Sequence, residues 1–354
     1  MGSQSKTSDI KSYSITGMAG SYNENSSPQL LAVQHAIPLM RKAIDAWESI
    51  PSSFPTIIAD FGSSHGANTT FIIKTMLDYI KQSKSQLVDQ SFLIIYNDLP
   101  SNDWAAVFNI VNEESQYYGL GNGRSFYSQC LPSNSLSIGF SSTSLQWLSR
   151  KPCNISNHCI FLFAQASERA AFRMQAKEDL EQFIKTRSHE LISGGVLIVT
   201  AVCSNKKGES ILNHACDCLY QCSKLLPLSE QELLDYTIPI YFREYEDCID
   251  ENLFKRYSFQ LVSSYFYLVD VEFDRHFEVG EIKLEEFVQL HTGFMRSWSE
   301  PALRKALQNN GKRTEEEINE LLIQFWALYK DQVRKSPREF KSSFNEACFV
   351  LKKC

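Results

Sequence analysis

No stretch of this chain approaches the ~20 apolar residues that a membrane span needs, so no spanning helix is expected. The first fourteen residues are polar and hold no apolar segment, which argues against a signal peptide. The ten cysteines therefore read as reduced thiols of a cytoplasmic protein. The sequence also lacks a basic surplus. Thirty-five Lys and Arg against 41 Asp and Glu leave a net charge of −6, which argues against a general nucleic-acid binder. It lacks a zinc pattern: Cys216, Cys218 and Cys222 near His214 have no second knuckle and a poor spacing. It has no G-x-G-x-x-G fingerprint, which disfavours a nicotinamide dehydrogenase. It shows no Ser-His-Asp or Cys-His constellation, and His35, His65 and His158 read as packed or surface residues.

What is present begins with two short apolar strands, each ending in an aspartate. The first is Ile57-Ile58-Ala59-Asp60-Phe61-Gly62, followed by Ser63-Ser64-His65-Gly66; the second is Phe92-Leu93-Ile94-Ile95-Tyr96-Asn97-Asp98. Strands apolar on both faces suit a buried parallel sheet. A helix over 67–83, with Ile72, Ile73, Met76, Leu77 and Ile80 on one face, joins them. The pattern predicts further strands at 136–140, 160–163, 196–200, 259–273 and 344–351. It predicts helices at 28–48 (broken at Pro38), 170–191, 209–223, 284–308 and 314–332. Alternating strands and helices imply an α/β, doubly wound Rossmann-like sheet with helices on both faces. The expected division is a disordered lead over 1–14, a core over 15–205 completed by 255–282 and 340–354, and an α-helical cap from 206–254 and 283–339.

In a doubly wound sheet, ligands bind at the carboxyl ends of the strands. Asp60 lies before the glycine turn, where it would repel a pyrophosphate and attract an amino group. Asp98 suits a bidentate contact to ribose hydroxyls. A ligand with both groups is S-adenosylmethionine. The plainer alternative is a pair of solvated loop acids.

Several patches resemble the SABATH carboxyl methyltransferases, a family of salicylate, benzoate and jasmonate methylating enzymes that also includes xanthine N-methyltransferases. They are Ser21-Tyr22-x-x-Asn25-Ser26-x-x-Gln29, Ile58-Ala59-Asp60-Phe61-Gly62-Ser63-Ser64-x-Gly66-x-Asn68, Asn97-Asp98-Leu99-Pro100-Ser101-Asn102-Asp103-Trp104, Ser125-Phe126-Tyr127, Ser141-Ser142-Thr143-Ser144-Leu145-Gln146-Trp147-Leu148-Ser149, Asp179-x-x-x-Phe183-x-x-x-Arg187-x-x-Glu190 and Met295-Arg296-x-x-x-Glu300-Pro301. The resemblance spans about residues 20–350. It implies a methyltransferase sheet with a helical cap, S-adenosylmethionine as cofactor, a small carboxylic acid as substrate and a homodimer. It implies that Ser21, Asn25, Asp60, Gly62, Asp98, Leu99, Ser125, Phe126, Ser141 and Ser142 hold the cofactor. It implies that Gln29 and Trp147 hydrogen-bond the substrate carboxylate as neutral donors, with Thr143, Gln146, Met295 and Trp298 shaping the acceptor pocket. Some members bind Mg²⁺ near the active site, but no carboxylate cluster here demands it.

Three departures concern the acceptor. Thr143 stands where the family often has tyrosine, and Gln146 stands where it has histidine or methionine. Around Thr16-Gly17-Met18, the lysine of some members is missing. Trp298 is bulkier than the usual aliphatic residue, so a displaced pocket is expected. The leading expectation is methyl-ester formation on a small acid. N-methylation of a heterocycle held by Gln146, or a silent acid-binding relative, are the alternatives.

Overall fold

The computed structural model describes residues 17–20, 22–49, 54–205, 210–309 and 311–354. The predicted lead over 1–14 lies outside them, as does Ser21. One sheet carries β1 (Thr56–Phe61), β2 (Phe92–Asp98), β3 (Tyr118–Gly123), β4 (Leu136–Ser142), β5 (Leu191–Ser204), β6 (Arg243–Glu244), β7 (Phe259–Val269) and β8 (Phe344–Lys353). Their order is β3-β2-β1-β4-β5-β8-β7, with β6 beside β5. β3, β2, β1, β4 and β5 run parallel. β8 inserts antiparallel between β5 and β7. The chain direction across the sheet reverses between β1 and β4, the place where such sheets open a crevice.

Helices α1 (Tyr22–Asn25), α2 (Ser27–His35), α3 (Ile37–Ala46) and α4 (Ala67–Ser83) flank β1. α5 (Trp104–Val111) precedes β3 and α6 (Ala166–Glu190) precedes β5. α7 (Asn213–Lys224), α8 (Glu230–Asp235), α9 (Tyr245–Cys248) and α10 (Glu251–Arg256) lie between β5 and β7, and α11 (Glu272–Glu278), α12 (Leu284–Gln308) and α13 (Glu315–Lys335) between β7 and β8. The apolar stripe of α4 is buried as its spacing requires: Ile72, Ile73, Met76, Leu77 and Ile80 join Met40 and Ile44 of α3 on one face of the sheet. Phe183 and Ile184 of α6 and Phe254 of α10 cover the other face, beside Phe61 and Phe349. A third apolar cluster belongs to α7, α12 and α13, with Trp298, Phe325 and Tyr329 among its members.

Four local expectations need correction. Ile160–Phe163 is not a strand, because Phe161–Phe163 turns into a 3₁₀ segment. The 259–273 strand stops at Val269, after which α11 begins. β3 was invisible to apolar patterning because Tyr118-Gly119-Leu120-Gly121-Asn122-Gly123 is an exposed, glycine-rich edge strand. Its glycines have a packing reason: a Cβ on Gly121 would meet the Trp104 ring at 3.0 Å. The 28–48 helix breaks at Ala36 rather than at Pro38, since proline is tolerated in the first turn of α3. The 206–254 stretch also divides in space. α7 and α8 join the helical layer, whereas Cys248, Leu253 and Phe254 pack under the sheet.

One buried ion pair links α6 to the loop after β3. The Arg187 guanidinium lies 3.8 Å from the Phe61 ring centroid and donates to the Phe126 and Ser128 carbonyls and to Glu190 Oε1 (3.0 Å). Glu190 Oε1 also accepts from the backbone N–H of Leu131. Replacing Glu190 by Ala strands a fully buried cation, so a loss of about 3–5 kcal/mol is expected in urea unfolding. A loss under about 1 kcal/mol would show that water reaches the pair.

Candidate active site

The turn after β1 is tied down by the end of β2. The N–H groups of Gly62 and Ser63 both donate to the Asn97 carbonyl (2.8 and 3.0 Å). The Ser64 N–H donates to Asp98 Oδ2 and the Leu99 N–H to Asp98 Oδ1, each at 2.7 Å. Asn102 Nδ2 reaches back to the Ser64 carbonyl at 2.6 Å. The Asn97-Asp98-Leu99-Pro100-Ser101-Asn102 run therefore clamps the Gly62–Gly66 turn from outside. Gly62 has φ +98°, and a Cβ there would lie 2.1 Å from Ser144 Oγ. Gly62→Ala is expected to destabilise the protein by about 2–3 kcal/mol through strain and overpacking. It is also expected to abolish ligand retention in the adjoining cleft. Thermal melts with and without ligand check both.

Three contiguous cavities open at the carboxyl ends of β1, β2 and β4. The first, about 340 Å³, is lined by Asp60, Ser63, Asn68, Thr69 and Ser142. The second is an open cleft of about 1270 Å³, lined by Asp98, Leu99, Ser125, Phe126, Ser142 and Ser144. The third, about 520 Å³, is lined by Gln29, Gln146, Trp147, Val202, Ile240, Phe242, Phe294, Trp298 and Phe344. Tyr22 and Thr143 line all three and so mark their junction.

The electrostatics of the first two cavities are one-sided. Two carboxylates line them, and among the described residues no lysine, arginine or histidine does. Asp60 Oδ2 accepts from Thr69 Oγ1 at 2.6 Å, while the buried Oδ1 has no partner among the described residues. Burial, with the Asp98 charge adding to it, pushes the Asp60 carboxyl up to about 7. Asp98 is raised too, chiefly by burial, against the two N–H bonds that favour its charge. The Tyr22 phenol is held well above its ordinary value by burial and by both acids, so it remains protonated. The buried Ser63 and Ser64 hydroxyls also lack partners. Such a site fits a cationic ligand with further hydrogen-bonding groups: an amino group for Asp60, hydroxyls for Asp98, and a flat ring beside Phe126. Those are the groups of S-adenosylmethionine.

The third cavity is apolar apart from neutral donors and acceptors. Gln29 rises from α2 and is buried with its Oε1 unpartnered. Trp147 is fixed by its backbone: its carbonyl accepts from Tyr127 Oη (2.5 Å) and it bridges to Ile240. Thr143 holds a left-handed backbone (φ +45°), an uncommon state for a β-branched residue. Its N–H donates to the Thr200 carbonyl, and its carbonyl accepts from Gln146 Nε2 at 2.5 Å. The Gln146 Oε1 is left buried and unpartnered.

The sequence expectations therefore converge unevenly. Gln29, Asp60, Gly62, Asp98, Leu99, Ser125, Phe126, Ser142, Thr143, Gln146, Trp147 and Trp298 all line these cavities. Ser141 does not, because it is fully buried and its hydroxyl donates to the Phe61 carbonyl. Met295 lines none of the three cavities, although it is buried in the same helical cluster as Phe294 and Trp298. Asn25 lines none of the three and abuts Gly293 of α12. Tyr22 and Met18 were not singled out as site residues. Tyr22 lay within a quoted pattern, but nothing in its type separated it from a packing tyrosine. Met18 is brought over the site by Pro301. That proline lacks the N–H that would bond the Ser297 carbonyl inside α12, and the Ala19 N–H takes this carbonyl at 3.0 Å instead.

The family model described as SAM-dependent carboxyl methyltransferase matches residues 15–346. This chain belongs to the SAM-dependent carboxyl methyltransferases, the SABATH family. Its methyl donor is S-adenosylmethionine. A probable S-adenosylmethionine-dependent methyltransferase of Arabidopsis thaliana is 30% identical over 259 residues, covering 64% of this chain and 71% of the relative. The salicylate carboxymethyltransferase of Clarkia breweri is 28% identical over 249 residues, covering 64% and 69%. A solved loganic acid methyltransferase with SAH shares the fold at a TM-score of 0.77 and 19% identity, over 96% of this methyltransferase and 98% of that chain. Among the described residues, no helix is long and apolar enough to cross a membrane, and no group of three His, Cys, Asp or Glu is placed to hold a metal ion.

Proposed function

We propose that this methyltransferase converts the carboxylate of a small, largely apolar acid to its methyl ester. The carrying observation is the composition of the 520 Å³ cavity, which adjoins the cofactor cavities. Among the described residues its polar reach consists of Gln29, Trp147, Gln146, Thr143 and Tyr22, with no charged group.

S-adenosylmethionine supplies an electrophilic methyl group on a sulfonium. Asp60, Asp98, Leu99, Ser125, Phe126 and Ser142 would hold it, as their cavities suggest. Gln29 and Trp147 would donate to one carboxylate oxygen and leave the other free to attack. Neutral donors orient the acceptor without a counter-charge that would blunt its nucleophilicity. A carboxylate is ionised at pH 7, its ordinary pKa being about 4, so no general base is required. Rate enhancement would come from alignment, worth about 7 kcal/mol or more, and from the apolar walls that exclude water.

Gln146 bears on the substrate's body. The Thr143 carbonyl can only accept, so the Gln146 amide must present its NH₂ to it. The Oε1 that remains, an acceptor, is buried with no partner among the described residues. We read the substrate as carrying a hydroxyl or N–H that meets this acceptor, remote from its carboxylate. Homodimer formation is carried as part of the same reading.

The test is labelled methyl transfer from S-adenosylmethionine to a mixed library of acids and heterocycles, with products identified by mass. Base-labile methyl esters of apolar hydroxy acids support the reading. Base-stable N-methyl products overturn it, as does binding of acids without turnover.

A further inference from the structure

Behind the cofactor cavities lies a third acid. Glu346 of β8 is fully buried, between β5 and β7. Its Oε1 accepts from Thr200 Oγ1 of β5 at 3.3 Å, and its Oε2 has no partner among the described residues. Thr200 Oγ1 in turn shares a 2.8 Å hydrogen bond with Ser142 Oγ of β4. Ser142 and Thr200 are register partners across β4 and β5, so the contact is built into the sheet. Ser142 lines both cofactor cavities. A continuous chain of polar hydrogens thus runs from a buried carboxyl to the wall of the cofactor site.

We propose that Glu346 is a positioning residue that senses the charge on the cofactor's sulfur through Thr200 and Ser142, and so biases the site toward S-adenosylmethionine over S-adenosylhomocysteine. The inference does not depend on which acid is methylated. When Glu346 is neutral, its O–H donates to Thr200, Thr200 donates to Ser142, and Ser142 turns its hydrogen to the cavity. When Glu346 is ionised, every donor reverses and Ser142 turns its lone pairs to the cavity. A sulfonium favours the second arrangement. The neutral thioether of the product has no such preference.

Among the described residues, Glu346 has no resident counter-ion. The groups coupled to it electrostatically are Cys203, Cys348, Tyr265 and Tyr267, none of them a cation. The cations on the helices packed nearby are engaged elsewhere. Lys42 of α3 donates to Ser263 Oγ, and Arg41 lies over the Tyr79 ring. Asp45 of α3 accepts from Tyr79 Oη, and Asp247 of α9 pairs with Arg173. His35 of α2 is bonded to Tyr267 Oη, and burial lowers its pKa. Burial likewise pushes Glu346 up to about 8, so near neutrality it holds a proton that a cation could expel.

The experiment is calorimetric titration of S-adenosylmethionine and S-adenosylhomocysteine into the wild-type protein and Glu346→Gln. Buffers of different ionisation heat, at pH 6.5 to 9, report the protons released. Both ligands carry the amino group that faces Asp60, so the difference between them isolates the response to the sulfonium. Wild type should release more protons with S-adenosylmethionine than with S-adenosylhomocysteine below about pH 8, and its preference for S-adenosylmethionine should grow as pH rises. Glu346→Gln keeps the shape and a donor for Thr200 but not the charge. It should abolish most of the proton difference and cut the preference on the order of 3–10-fold at pH 8.5, leaving S-adenosylhomocysteine affinity unchanged. Equal proton release for the two ligands in wild type overturns the proposal without any variant. A Glu346→Gln protein that loses both affinities in parallel, or neither, overturns it as well.

Discussion

Asp60→Asn is expected to weaken S-adenosylmethionine binding by about 100-fold or more, while making the ligand-free protein more stable. The first effect follows from removing the charged partner of a buried cationic group, a change that costs about 2–5 kcal/mol in desolvated pairs. The second follows from the carboxyl's own position. Its folded pKa, pushed up to about 7 by burial, exceeds the 3.8 of a free aspartate. Between those values the folded state binds the proton more tightly than the unfolded state does, so the stability contributed is present at low pH and lost as pH rises toward 7. By pH 8 the ionised, unpartnered Oδ1 costs the ligand-free fold a few kcal/mol. Asparagine removes that cost. A rise of several degrees in the ligand-free melting temperature is expected at pH 8, and little change at pH 4–5. In wild type, the same titration makes binding pH-dependent. The cation selects ionised Asp60, so affinity should fall about tenfold per pH unit below about 7 and level off above it. Glu346 superimposes its own smaller dependence near pH 8, which Asp60→Asn should leave intact. A pH-independent affinity in wild type, or a destabilised Asp60→Asn protein, would contradict the arrangement.

Trp147→Phe and Gln29→Leu should each lower kcat/KM for the methylated acid by about 10–100-fold, as expected on losing one hydrogen bond to a charged group in a dry cavity. Gln29→Leu combined with Trp147→Phe should approach uncatalysed background. Affinity for S-adenosylmethionine should change little in Gln29→Leu, and phenylalanine should preserve most of the wall that Trp147 gives the cleft. Binding and turnover are therefore to be measured separately. If both parameters fell together, these residues would be supporting the cofactor rather than orienting the acceptor.

The donor half of this enzyme was readable because its chemistry is local. Asp60 and Asp98 each end a strand, and parallel pairing of β1 with β2 must bring adjacent strand ends together. The turn between them carries glycine where the backbone needs it. Once the strands are recognised, no further information is required to see two acids at one crevice. β3 escaped the same reading because its Tyr118-Gly119-Leu120-Gly121-Asn122-Gly123 run has neither apolar alternation nor a continuous apolar core, only neighbours that need its small residues.

The acceptor half was readable only as a set of positions. Gln29, Thr143, Gln146, Trp147 and Trp298 meet in one cavity, but Val202 of β5, Phe344 of β8 and Phe242 of the segment before β6 reach it too. Thr143 illustrates the limit. Its type suggested a lost ring, whereas in the fold its left-handed backbone places its carbonyl to accept from Gln146 Nε2.

Strand periodicity and residues adjacent in the chain were enough for the fold class and, with the family's motifs, for the methyl donor. Only the tertiary structure decided which polar atoms remain unsatisfied. It left Asp60 Oδ1 and Gln146 Oε1 without partners, turned Ser141 inward and Ser142 outward, and buried Glu346 behind Thr200. Hydrogen-bond satisfaction depends on every neighbour within about 3 Å, and those neighbours come from parts of the chain up to 146 residues apart.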